Sequence, residues 1–132
     1  ETAMRQSEIT TLTWQQINLR AKYLTLIETK NGYRRHVPLS SRAIQLLEIM
    51  KPQKNGDVFG IDADTVSTLF RRCVRKCHIK DLRFHDTRHE ACTRLAQLIP
   101  LLDLAKMLGH RDLKSLMIYY DATPTEIANK LG

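Results

Sequence analysis

Between positions 85 and 120 the chain reads HDTRHEACTRLAQLIPLLDLAKMLGHRDLKSLMIYY, and one charge within it limits the folds open to the rest. Arg88, Cys92 and Leu95 follow one another at spacings of four and three, so they share one face of a helix, and His85 lies three residues ahead on that face. Burying an isolated charge along an inward seam costs several kcal/mol or more, so Arg88 calls for an anion. Two short helical pieces follow, each too small to stand alone. Between them Leu108-Gly109-His110 sets a helix-stopping glycine before a histidine aimed off the helix end. Tyr119 comes nine residues after His110. Two histidines, a seam arginine and a tyrosine on neighbouring helices predict a pocket for a negatively charged group, with a phenol available to attack it.

Charge bears on what that group is. Lys and Arg number 21 against 14 Asp and Glu, a net charge of +7 with a sequence pI near 9.6. Such an excess in a small domain either serves solubility or marks polyanionic partners, and its size favours the second. The 132 residues have the length of one domain. The opening Glu-Thr-Ala-Met-Arg has no start methionine and no basic-then-apolar signal, so residues 1–132 are expected to be one domain cut from a longer protein. No apolar run approaches the roughly 18 to 20 residues that cross a bilayer, and a soluble protein with no membrane partner is expected. Three cysteines, an odd number, make no disulfide framework. Cys73, Cys77 and Cys92 fall on apolar helix positions and are expected to be core thiols in a reducing cytoplasm. His78 beside Cys77 lacks a second ligand pair at zinc spacing, so no metal is expected.

In chain order, residues 4–19 read as a short helix or turn capped near Ser7, with Ile9, Leu12, Trp14 and Ile17 as its apolar contacts. Arg5 and Glu8, three apart, make a local ion pair the simplest reading. Residues 22–30 alternate and are β-rich, Asn31-Gly32 is a type I′ turn pair, and residues 33–39 return, with Pro38 at an edge or strand end. Lys30 projects from that hairpin tip, either into solvent or into a bound ligand. A helix capped by Ser41 carries Ala43, Leu46, Leu47 and Met50 on one stripe, and residues 51–60 form a polar loop. Asp62 or Asp64 starts the next helix, whose apolar positions are Val66, Leu69, Phe70, Cys73, Val74 and Cys77. Its other face carries Arg71, Arg72, Arg75 and Lys76 with no interleaved acid, which favours contact with a nucleic-acid backbone over a merely solvated face. After Tyr119, Thr123 caps a last short helix with Pro124 at its first position, and that helix needs a docking surface, its own or a neighbour's. The elements add up to an α+β domain, mostly α-helical, with a small antiparallel sheet near the amino end.

If the anion is a DNA phosphodiester, attack by a tyrosine oxygen requires three things: neutralised non-bridging oxygens, help for the phenol in losing its proton, and a proton for the departing sugar oxygen. Arginine forks suit the first, histidines suit proton handling or hydrogen bonding, and a lysine at a flexible tip suits the leaving group. Each positioned donor is typically worth about 10²- to 10³-fold, so four or five together could supply much of the acceleration without a metal.

These residues also carry a family resemblance. Ala3-Met4-Arg5-Gln6-Ser7-Glu8 followed by Leu12-Thr13-Trp14 is similar to the first arginine patch of the tyrosine recombinase (phage integrase) family, with Glu8 at its acidic position. Thr29-Lys30-Asn31-Gly32, closing with His36-Val37-Pro38-Leu39-Ser40, resembles the hairpin of the family's catalytic lysine. His85-Asp86-Thr87-Arg88-His89 resembles its histidine and second-arginine box, Leu108-Gly109-His110 its third box, and Tyr119 stands at the nucleophile's distance from it. The resemblance runs from Arg5 to the final helix and implies a tyrosine recombinase catalytic-domain-like fold. It implies that Arg5 and Arg88 clamp the scissile phosphate, that His110 donates to a phosphate oxygen, that Lys30 is the general acid, that His85 assists proton transfer and that Glu8 supports the site. Tyr119 would form a transient 3′-phosphotyrosyl bond, so rejoining needs no nucleotide cofactor. Double-stranded DNA is the implied partner, bound by a homo-oligomer that forms a tetrameric synapse in the full-length protein, in the cytoplasm of a bacterium or encoded by a phage. The family's amino-terminal DNA-clamping domain and much of the helix before Arg5 are not in these residues. Spacing from His110 favours Tyr119 over the adjacent Tyr120 as nucleophile. Residues 99–120 also scan as a helix-turn-helix, which would make the chain a non-catalytic DNA-binding regulator; a type IB topoisomerase is the related enzymatic alternative.

Overall fold

The computed structural model describes residues 1–28, 33–110 and 113–132. In order they form α1 (Gln6–Thr10), a 3₁₀ turn (Trp14–Gln16), β1 (Ile17–Asn18), β2 (Tyr23–Glu28), β3 (Tyr33–Pro38), α2 (Ser41–Ile49), α3 (Ala63–Lys76), α4 (Phe84–Ala96), α5 (Leu101–Leu108), a 3₁₀ segment (Leu113–Tyr119) and α6 (Pro124–Leu131). This is the mostly helical α+β domain expected, with a three-stranded antiparallel sheet in the order β1-β2-β3 near the amino end.

The hairpin register pairs Tyr23 with Pro38 and Glu28 with Tyr33. The expected Asn31-Gly32 turn and Lys30 at its tip lie outside the described residues. Pro38 closes the edge strand β3, where a missing N–H breaks no ladder. Sequence predicts only the two hairpin strands; β1, at two residues, is too short to leave a period of two. Along β2 and β3 the inward parity carries Leu24, Leu26 and Val37, all buried, and by the same alternation Arg35, only 8% exposed.

Caps fix the helix starts. The Ser40 hydroxyl, rather than Ser41, accepts the Ala43 N–H at 3.0 Å ahead of α2. Asp62 accepts the Thr65 N–H at 2.7 Å ahead of α3, and Thr123 with Glu126 closes a capping box around Pro124 at the start of α6. At α1 the cap position belongs to Arg5 rather than Ser7: the Glu8 carboxylate reaches back to accept the Arg5 N–H at 2.8 Å.

Two apolar clusters make the core. One, on the sheet side, gathers Leu12, Trp14, Leu24, Val37, Leu47 and Met107; the other, between the later helices, gathers Ala3, Cys92, Leu104, Leu108 and Leu116. α5 serves both, because Met107 faces the sheet while Leu104 and Leu108 face α4 and the 3₁₀ segment. Each fully buried leucine contributes roughly 1.5–3 kcal/mol.

α3 corrects an expectation. None of its residues is buried, and of the three expected core thiols only Cys92 is one; Cys73 and Cys77 are exposed. The apolar stripe meets the body along one edge only. The Gln6 amide donates to the Ala63 carbonyl (2.8 Å) and the Ser67 hydroxyl (2.9 Å), and Phe70 meets Phe84 edge-on at 5.5 Å. Leu46 and Met50, on the expected stripe of α2, likewise line an open apolar groove instead of the core. Among the described residues no helix is long and apolar enough to cross a membrane, and no group of three or more His, Cys, Asp or Glu could hold a metal ion.

Candidate active site

α4, α5 and the 3₁₀ segment enclose a cavity of about 260 Å³. Arg5, His85, Arg88, His110 and Tyr119 all line it, so five of the six residues expected to act together are brought to one place from across the sequence. Lys30 lies outside the described residues. His85 shares a helix face with Arg88 but stands exposed at the rim, because the seam is closed over Arg88 and Cys92 and open one turn earlier.

Arg88 is buried, yet its guanidinium donates to the backbone carbonyl of Ala3, a neutral group, rather than to a carboxylate. Ala3 holds that carbonyl in place from a left-handed backbone conformation, φ 50°, which a residue with a Cβ adopts at a cost. Burial and the like charge of Arg5 pull the Arg88 guanidinium below its ordinary value. Two neighbouring cations on one cavity wall are a standing electrostatic cost that an incoming anion relieves.

Arg5 is held by Glu8: its side chain donates to one carboxylate oxygen at 3.1 Å, while its backbone N–H takes the other. Glu8 has a second, tighter partner. Arg35 grips both carboxylate oxygens through its two terminal nitrogens at 2.8 Å each, and its Nε donates to the Met107 carbonyl at 3.2 Å. Burial pushes the Glu8 carboxyl up, but the hydrogen bonds from Arg35 and the Arg5 backbone, with both arginine charges, outweigh it and hold the group below the ordinary carboxylate range. The Arg35 side chain also packs closely against Gly109. A Cβ there would stand 2.8 Å from the Arg35 Cδ, and the backbone has φ +73°, so glycine is needed both for approach and for conformation. Arg35 thus ties β3, α1 and the end of α5 together, and through them fixes Arg5 and His110.

His110 leaves the end of α5 and meets the Ser115 hydroxyl through Nδ1 at 2.8 Å. Burial, followed by the charges of Arg88, Arg5 and Arg35, pulls its pKa down, so its imidazole is mostly neutral near pH 7. Tyr119 is half-buried, with its hydroxyl 3.1 Å from His89 Nδ1. Burial pushes the phenol up, Cys92 adds in the same direction, and Arg88 opposes them. Burial likewise raises the Cys92 thiol. Tyr120 is 43% exposed and does not line the cavity.

Sequence reasoning missed Arg35 and His89. Arg35 had a signal, since it shares the parity of Val37 and Leu39 while Arg34 takes the other; His89 had none that separates it from His85. Arg71, Arg72, Arg75 and Lys76 are all exposed along α3 and do not line the cavity. In the alternative helix-turn-helix reading of residues 99–120, the second half is a seven-residue 3₁₀ segment packed on α4 and α5.

A cationic wall, a neutral imidazole and a phenol around a space of this size suit a phosphate ester under attack by the phenol. Known proteins are related to the chain in sequence and in fold. The chain is 40% identical over 133 residues to the shufflon-specific DNA recombinase of Escherichia coli, and 38% identical over 134 residues to a putative integrase/recombinase of Haemophilus influenzae. Each alignment covers 99% of this chain, which spans 35% of the first relative's length and 44% of the second's. Among solved structures, the catalytic domain of bacteriophage HP1 integrase superposes with a TM-score of 0.74 at 27% identity, over 98% of this chain and 74% of that one. The Tn1549 transposon integrase in complex with circular intermediate DNA has the same fold, with a TM-score of 0.74 at 21% identity over 98% of this chain and 55% of that one. The sequence profile of the Phage integrase family matches residues 1–126, and the chain belongs to that family.

Proposed function

We propose that residues 1–132 are the catalytic domain of a site-specific DNA recombinase, part of a longer protein, that cleaves and rejoins DNA through a 3′-phosphotyrosyl intermediate. The observation that carries this reading is the single cavity into which Arg5, Arg88, His110, His85 and Tyr119 all open. In it Arg5 and Arg88 bind the two non-bridging oxygens of the scissile phosphate, and the negative charge of the phosphate offsets the repulsion between the two guanidinium groups. With the Ser115 hydroxyl donating to Nδ1, His110 carries its proton on Nε2 and donates it to a phosphate oxygen. Tyr119 attacks phosphorus, and the 5′ oxygen leaves with a proton from Lys30, a role that rests on the family resemblance. His85, at the rim, assists proton transfer, and Glu8 holds Arg5 in place. The reverse attack by a 5′ hydroxyl restores the strand with no cofactor, because the phosphotyrosyl bond keeps the energy of the one it replaced.

Double-stranded DNA is the partner in this reading, bound as a homo-oligomer, a tetrameric synapse in the full-length protein, in the cytoplasm. Arg71, Arg72, Arg75 and Lys76 on α3 contact its backbone. The test is covalent trapping on a pool of nicked duplexes tiling the DNA that flanks the gene, nicked so that the released strand diffuses away. Expected is a denaturant-stable protein–DNA product that Tyr119→Phe abolishes. Trapping that survives Tyr119→Phe and disappears with Tyr120→Phe moves the nucleophile by one residue. Sequence-specific binding without any covalent product returns the chain to a DNA-binding regulator, and relaxation of plasmids lacking any target sequence makes it a topoisomerase.

A further inference from the structure

His85 is the histidine that the family resemblance assigns to proton transfer, but the tyrosine hydroxyl is held by a different one. Tyr119 Oη lies 3.1 Å from Nδ1 of His89, which sits on α4 directly after Arg88 and one turn beyond His85. The His85 and His89 rings meet edge-on, with centroids 5.0 Å apart and planes at 87°. Both line the cavity.

A phenol raised by burial is not ionised near neutral pH, so its attack on phosphorus needs an acceptor for its proton within hydrogen-bond reach. The groups around the hydroxyl narrow the choice. Arg88 is a cation with no lone pair to offer. Cys92, the neighbour that helps raise the phenol, is buried with its own thiol raised, so it holds its proton. His110 faces the cavity with Nδ1 engaged by Ser115. An imidazole whose Nδ1 already meets the hydroxyl is an acceptor of the right kind and in the right place. His89 is also exposed, so a proton it takes can pass on to water.

We propose that His89 is a catalytic residue that receives the Tyr119 proton as the phenol attacks, an assignment that rests on the recombinase reading above. The Tyr119 O–H bond breaks and its proton moves to His89 Nδ1, while Nε2 keeps the ring's own proton. The phenolic oxygen bonds to phosphorus, the bond from phosphorus to the 5′ oxygen breaks, and that oxygen takes its proton from a separate acid. In rejoining, the imidazolium of His89 returns the proton to the departing phenolate. His85, packed edge-on with His89, supports its orientation.

Single-turnover trapping on a nicked duplex tests this. His89→Gln is expected to slow covalent product formation by about 10²-fold, the usual worth of a positioned base. Incorporating a ring-fluorinated tyrosine at position 119, whose phenol ionises more readily, is expected to restore tenfold or more of that loss while barely changing the protein with His89 intact. A loss of positioning alone would not be repaired by a more acidic phenol. Trapping by His89→Gln within threefold of the wild-type rate overturns the assignment, as does a loss that the fluorinated tyrosine leaves in place. If His85→Gln shows the repairable loss instead, the base is His85. Failure of the underlying reading looks different: the unaltered protein then forms no covalent product, or Tyr119→Phe still does.

Discussion

The cavity has a cation-bearing wall and a tyrosine-bearing wall, and they are built differently. Arg5 and His110 stand on elements locked by a continuous set of polar contacts, from the Arg5 backbone to Glu8, from Glu8 to Arg35, and from Arg35 to the Met107 carbonyl, with the Arg35 side chain packed against Gly109. Tyr119 rides a seven-residue 3₁₀ segment whose only buried side chain is Leu116. Such segments have poorer hydrogen-bond geometry than an α-helix and owe their position to tertiary contacts. The difference fits the chemistry proposed for each wall. Donors aimed at developing charge work best when they need no rearrangement, whereas a nucleophile that must reach phosphorus and later release it gains from a lightly held carrier.

The largest effect is expected at the rigid wall. Arg35→Met removes one partner of a largely buried ion pair and leaves the Glu8 carboxylate and the Met107 carbonyl without it. We expect a loss of about 3 kcal/mol in urea unfolding, together with a fall in trapping, because Arg5 and His110 lose their common anchor. Adding Glu8→Gln to Arg35→Met should recover part of the loss, since the half-buried charge is then gone; equal and additive losses would mean that the pair does not couple. Acid should imitate the mutation. The Glu8 carboxyl is lower in the folded chain than in the unfolded one, so its contribution is complete above the ordinary carboxylate range and is lost as pH falls through the lowered value. Urea midpoints measured across that window should decline for the wild type and less for Glu8→Gln.

Arg35 also marks where sequence reading stops. The seam through Arg88 and Cys92, the Gly109 stop, a helix start at Asp62 or Asp64 and the Thr123-Pro124 helix start were legible because each is a local signal. A helix period, a forced φ or a side chain capping its own turn needs no knowledge of the rest of the chain. Arg34 and Arg35 look alike as adjacent charges in YRRHVPL. Only the parity shared with Val37 separates them, and only α5 lying across β3 explains why a charge is acceptable there. Cys73 and Cys77 show the opposite failure, since an apolar stripe predicts a buried face without naming what covers it, and α3 meets the body only at its edge. Which of His85 and His89 meets the Tyr119 hydroxyl depends on how the 3₁₀ segment crosses α4, a pairing that no spacing within α4 encodes.

The tyrosine wall should respond on a smaller and more local scale. Leu116, 1% exposed, is the anchor of its segment. Leu116→Ala should weaken docking by about 2 kcal/mol, roughly thirtyfold in the population of the released segment. Backbone amides of the Leu113–Tyr119 segment should then exchange faster than those of α4 or β3, which keep their protection. Uniform acceleration across the chain would mean that the segment is part of the global core, and the contrast between the two walls would fail.

The smallest effect on folding is expected on α3, which belongs to neither wall and therefore tests whether holding DNA and cutting it are separate properties of the surface. Arg71, Arg72, Arg75 and Lys76 are exposed, so replacing all four with glutamine should leave the urea midpoint nearly unchanged, within about 0.5 kcal/mol per site. If they bind phosphates, each phosphate deprived of its cation should lower the slope of log K against log salt by about 0.9, and two such phosphates would weaken binding roughly tenfold at moderate salt on any duplex, cognate or not. Once DNA is saturating, the rate of covalent trapping should match that of the unaltered protein, because none of the four side chains lines the cavity. An unaltered salt slope would remove α3 from the DNA interface. A slower trapping rate at saturation would instead mean that α3, through the Gln6 bonds joining it to α1, helps set Arg5, and the rigid wall would extend further than its buried contacts indicate.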